Sequence, residues 1–92
     1  MAAKIPVPER KSLVVRLRRV EGQLRGIQAM IDSGADCEQV AQQMAAARKA
    51  LDRAFFATFA CAIENEALGA PGRREEGKRR LGELTELLAK LA

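Results

Sequence analysis

The segment Arg16–Ile27, RLRRVEGQLRGI, decides the fold. Its apolar residues are Leu17, Val20, Leu24 and Ile27, and the flanking sequence extends the series to Leu13 and Ile31. The spacings alternate between four and three residues, which is the repeat of an apolar seam along one face of an α-helix. The predicted first helix runs from about Glu9 to Ile31 or Asp32 and stops at Ser33-Gly34, where glycine is available for a left-handed cap. With Leu13 at the middle of the seam, Arg16, Arg19 and Gln23 fall on one flank. Lys11, Arg18 and Arg25 fall on the other. Gly22 and Gly26 sit away from the seam. They either admit the backbone of another element or are poor helix formers tolerated in a packed helix.

Composition points the same way. The chain has 92 residues, so one domain is expected, and it has three Phe but no Trp or Tyr. A sheet protein would use more β-branched and aromatic residues, and base stacking on single-stranded nucleic acid needs aromatic platforms. The net charge of +4 is unevenly placed, with residues 1–33 carrying seven basic and three acidic groups. A basic first segment suits a polyanion, although a solvated helix surface would look similar. The N-terminus MAAKIPVPERK lacks an apolar signal region, and the apolar run 54–63 is too short to span a bilayer. A cytoplasmic protein without membrane contact is expected. Residues 1–8, with Pro6 and Pro8, read as a flexible arm preceding a single helical domain over 9–92.

A second helix is predicted from Asp36, a good N-cap residue, without interruption to about Leu68. Val40, Met44, Ala47, Leu51, Ala54, Phe55, Thr58 and Ala62 share one face, and Ala41, Ala45, Phe56, Phe59 and Ile63 form a second. A helix apolar over so much of its girth must be covered from several directions. Two other helices of its own chain could hardly cover ~45 Å of length, so a second protomer is inferred. Gly69-Ala70-Pro71-Gly72 breaks the chain, and a third helix follows from about Arg73 to Leu91 with Leu81, Leu84, Leu87, Leu88 and Leu91 as its buried stripe. The expected fold is all-α with three helices, medium, long and short. No pair of short helices joined by a tight turn is present, so no helix-turn-helix is expected.

RLRRVEGQLRGIQAMI, then GADC, then QQMAAARKALDRA, resembles the copper-sensing and nickel/cobalt-sensing repressors, the CsoR/RcnR-like family. The resemblance spans roughly residues 10–68 without gaps between the blocks. It implies an antiparallel helical dimer, usually paired into a tetramer. It also implies binding to double-stranded operator DNA, and release when an inducer reaches a cysteine site between protomers. Arg16 and Arg53 occupy family positions linked to DNA affinity, and Arg18, Arg19, Arg48 and Lys49 are candidate further contacts. The arginine fork donates paired hydrogen bonds to phosphate, and neutralising several phosphates makes affinity strongly salt-dependent. An exposed salt bridge is the alternative role for any one of these side chains.

Cys37 opens the second helix and matches the family's first sensing cysteine. A helix N-terminus favours the thiolate, while Asp36 beside it opposes that. Cys61 lies 24 residues later, ~36 Å along a continuous helix, so the two cannot share a site within one chain. If antiparallel helices of two protomers cross near residue 49, Cys37 faces the level of the partner's Cys61. Copper sensors of the family resemble Cys, then His 25 residues on, then Cys four further, and here those positions are Ala62 and Glu66. The chain has no histidine. Nickel and cobalt sensing needs imidazoles and is disfavoured. Copper(I) held by Cys37 and Cys61 alone stays open, as does a zinc site that adds Glu64 or Glu66. Formaldehyde-sensing relatives use an N-terminal proline where this chain has Ala2. Persulfide-sensing relatives resemble this chain in having two cysteines and no histidine ligand, but their second cysteine falls at Glu66 rather than Cys61. Cys61 therefore either reaches Cys37 across the interface or fills the core. The expected protein is a repressor, not an enzyme and without a resident cofactor. Modification of Cys37 and Cys61 by reactive sulfur such as a persulfide, or by a related oxidant, is the first choice, and copper(I) or another metal is the alternative.

Overall fold

The computed structural model describes residues 4–67 and 74–92, with the side chains of residues 66 and 67 outside the description. Helix α1 covers Val7–Asp32, α2 covers Cys37–Ala62, a π-helical turn follows at Ile63–Ala67, and α3 covers Arg74–Leu91. No strand occurs among the described residues. None of the helices is long and apolar enough to cross a membrane among the described residues. The expected all-α, three-helix architecture is the observed one.

α1 starts two residues earlier than expected. Pro6 is its N-cap in extended backbone and Pro8 lies in the first turn, where a missing N–H leaves no helical bond unmade. Residues 7 and 8 thus belong to the helix and not to an arm. At the other end, Gly34 takes φ 84°, the left-handed conformation that glycine adopts without a Cβ clash. The N–H of Ala35 then donates to the Met30 carbonyl at 2.9 Å, and the N–H of Gly34 to Ile31 at 3.1 Å, closing the helix end. Asp36 caps α2 as expected: its carboxylate accepts from the Gln39 N–H at 2.9 Å.

α2 does not run on as a regular helix. The π turn at Ile63–Ala67 replaces its expected last turns. Within that turn the Asn65 side-chain amide donates to the Cys61 carbonyl at 2.8 Å. A short polar side chain that bonds the backbone four residues back competes with regular helical pairing. The expected helix end at Leu68, the glycine-proline break and Arg73 lie outside the described residues.

α1 and α2 are each 26 residues long and joined by the short link 33–36, so they form an antiparallel hairpin. Their apolar seams are only half used within the chain. On α1, Leu13, Val20 and Ile27 are buried, while Leu17, Leu24 and Ile31 are exposed. On α2, Ala47, Ala54 and Cys61 are buried, while Met44 and Leu51 are exposed. Each helix therefore buries a lane of residues seven apart and leaves the neighbouring lane open. α3 packs on the π turn and the end of α2. Leu84 is its buried anchor and Leu81 and Leu88 are half-buried, but Leu87 and Leu91 stay exposed. The expected stripe of five leucines is covered on one edge only, because α3 meets a helix end and not a helix flank.

The molecule is long, 59 × 27 × 16 Å with a radius of gyration of 17.6 Å. A compact chain of this length would have a radius of about 12 Å. No side chain is fully enclosed among the described residues, and the core of the hairpin is one lane deep. Substitutions on the two lanes should therefore differ sharply. Val20 is 6% exposed and Leu24 is 47% exposed. Val20→Glu should cost about 4 kcal/mol or more by burying an unpaired charge, and should collapse the helical circular dichroism signal. Leu24→Glu should retain that signal.

Candidate functional site

The two open lanes face the same way. At about 100° per residue, a step of four residues turns a side chain by about 40° from the lane it left. Leu17, Leu24 and Ile31 each lie four residues after a buried α1 residue, and Met44, Leu51 and Thr58 lie four after Val40, Ala47 and Ala54. Two antiparallel helices turned equally from their facing lanes open onto one side of the hairpin. Cys37 begins the α2 lane, seven residues before Met44. It is exposed and stands at the first helical position, directly after the Asp36 cap.

The opposite side of the hairpin holds arginine. Arg16 lies three residues after Leu13, about 60° from the buried lane in the other sense. Arg19 and Arg53 lie one residue before Val20 and Ala54, about 100° round in that same sense. Because the helices are of equal length and antiparallel, Arg16 and Arg53 stand at nearly the same level of the hairpin. The other candidates point elsewhere. Arg48 follows Ala47 by one residue and turns toward the apolar side, while Arg18 and Lys49 face outward from the backs of their helices. The candidate cations thus separate into a convergent group, Arg16, Arg19 and Arg53, and three outliers.

All six are exposed, and none pairs with an acidic side chain among the described residues. The salt-bridge role expected as an alternative applies instead to Arg25, which meets Glu21 at 3.4 Å in an exposed, weakly stabilising pair. Gly26 lies on the same side as Arg19, one residue before Ile27. Among the described residues, a Cβ at Gly22 or Gly26 would meet nothing within 4 Å, so neither glycine serves a close approach to them.

The cysteines stand on different lanes. Cys61 continues the buried lane of Ala47 and Ala54 and is 7% exposed. Its sulfur lies 3.3 Å from the Asn65 side-chain nitrogen, which also bonds the Cys61 carbonyl. The helix between the cysteines is continuous, so they are not brought together within the chain. No group of three His, Cys, Asp or Glu residues that could hold a metal exists among the described residues. With no histidine in the chain, the donors of one protomer do not fit a metal site. The Glu66 side chain, an expected extra ligand, lies outside the described residues. Asn65 escaped the sequence analysis. An asparagine four residues after a helical cysteine was the available signal, since that spacing lets its amide reach back.

The model of the family described as "Metal-sensitive transcriptional repressor" matches residues 9–90. The chain belongs to this family. It is thus a member of a transcriptional repressor family and not of an enzyme family. It is also 39% identical over 44 residues to a Serratia marcescens protein described as "Uncharacterized protein in bioA 5'region". That match covers 48% of this chain and 48% of the relative, so it spans about half the length of each. No solved structure matches.

The burial of the two thiols predicts unequal reactivity. In the folded family member, iodoacetamide should alkylate Cys37 at least about tenfold faster than Cys61, since a buried thiol reacts only when the structure opens locally. Peptide mass spectrometry over a time course checks this, and the difference should vanish in urea.

Proposed function

We propose that this protein is a DNA-binding repressor whose inducer acts on cysteine thiols between protomers. The observation that carries the proposal is the two-sidedness of the α1–α2 hairpin. One side offers an open apolar lane that includes Cys37, and the other offers Arg16, Arg19 and Arg53 without acidic partners among the described residues. A second copy laid antiparallel on the apolar side would cover Leu17, Leu24, Met44 and Leu51, giving a dimer and, by further pairing, a tetramer. Leu24→Glu should then lower the assembled mass. The arginine side stays free for phosphates of double-stranded operator DNA, and a cytoplasmic location follows from that role.

In this scheme Cys37 attacks the outer sulfur of a hydropersulfide. It becomes a Cys37 persulfide, and the donor leaves as its thiolate. The partner's Cys61 thiolate then attacks the Cys37 sulfur. A disulfide forms between the protomers and hydrosulfide leaves. The cross-link shifts one hairpin against the other and so moves Arg16 and Arg53 out of register with the phosphates.

The family's description as metal-sensitive supports a second reading, in which copper(I) bridges Cys37 and the partner's Cys61. One experiment separates the two. Operator-bound protein is treated with a persulfide donor or, separately, with copper(I), and the released protein is weighed intact. Thiol sensing predicts added sulfur or a covalent dimer. Release by copper(I) alone, reversed by a chelator, overturns it in favour of the metal.

The DNA-facing side has its own test. Arg16→Ala and Arg53→Ala should each reduce the slope of log affinity against log salt by about 1, the loss expected for one phosphate contact. Arg18→Ala and Arg48→Ala should leave the slope unchanged in mobility-shift titrations.

A further inference from the structure

We infer that Asn65 is a positioning residue that holds the Cys61 thiol inward and makes it the slow, gated member of the cysteine pair. The inference deepens the thiol-sensing reading above and rests on it for its biological meaning. It stands on three features that meet at one end of the hairpin. First, Asn65 spans two atoms of the same residue: its side-chain nitrogen donates to the Cys61 carbonyl at 2.8 Å and lies 3.3 Å from the Cys61 sulfur. The carbonyl bond anchors the amide, and the weaker contact to sulfur favours the side-chain rotamer that keeps the thiol on the buried lane. Turning the sulfur toward the open lane, where Cys37, Met44 and Leu51 lie, requires that contact to break.

Second, Asn65 lies within the π turn Ile63–Ala67. Single π turns in α-helices are frequent at functional sites. Third, α3 packs on that turn far more than on the body of α2. Because α1 and α2 are equally long, Cys61 also lies level with the first turn of α1. The buried thiol thus sits at the end of the hairpin where the π turn begins and α3 packs, level with the first turn of α1, and it opens when this end of the hairpin loosens. Cys37, in contrast, is exposed. The order of events follows: Cys37 reacts first, and Cys61 answers once Asn65 lets go.

The test measures iodoacetamide alkylation of full-length, DNA-free protein. The cysteine sulfur displaces iodide and gains a carboxamidomethyl group, and peptide mass spectrometry follows each cysteine separately. Asn65→Ala should raise the Cys61 rate about fivefold, the factor expected for losing one hydrogen bond of ordinary net strength, and should leave Cys37 unchanged. Asn65→Asp keeps the shape but cannot donate, and should act in the same direction. Thr58→Ala is the control. It removes another side-chain bond to a carbonyl four residues back, at 2.8 Å, without touching Cys61, and should change neither rate. A Cys61 rate within twofold of the parent in both Asn65 variants, or an equal rise in Thr58→Ala, overturns the inference. The assay uses no inducer. A protein that shows the Asn65 effect yet stays on its operator in persulfide donor refutes the sensing reading and leaves the gate standing.

Discussion

The structure depends on the facing of two half-used seams. α1 and α2 each carry an apolar seam two lanes wide, and the hairpin closes only one lane of each. Leu13, Val20 and Ile27 are large, while Ala47, Ala54 and Cys61 are small, so the helices can approach closely along the closed lanes. The same closeness leaves no third layer over the remaining lanes. Contiguous exposed apolar surface of this kind marks an interaction site, and a short chain with so thin a core gains its robustness from a partner.

That arrangement separates tasks by side. Turning one way from the closed lanes reaches Leu17, Leu24, Ile31, Cys37, Met44 and Leu51, and turning the other way reaches Arg16, Arg19 and Arg53. An event on one side can move the other only by shifting whole helices, because the closed lane between them is packed and does not deform gradually. The proposed coupling between thiol chemistry and phosphate contact needs nothing more elaborate than a change in how two hairpins sit together.

Much of this was legible in the residues. The four-three spacing of Leu13 to Ile31, the Asp36 cap and the Ser33-Gly34 stop specify the α1–α2 hairpin through local rules, and each local rule acts within a turn or two of helix. The early start of α1 at Val7 was missed because a proline reads as a breaker, although in a first turn it breaks nothing. The π turn was missed because it is a local departure of five residues, and periodicity averages over such events.

By itself, then, the sequence determined that the chain forms three helices, where α1 stops and α2 starts, and which face of each is apolar, since propensity, capping and spacing are properties of neighbours along the chain. It also determined the donor inventory, two thiols and no imidazole. Only the tertiary structure decided which half of each seam is closed, and with it that Arg16, Arg19 and Arg53 converge while Arg18, Arg48 and Lys49 do not. It alone placed Cys37 on the open lane and Cys61 on the closed one. Helical spacing gives each side chain an angle about its own axis, and an angle acquires meaning only when a second helix supplies the direction from which it is measured.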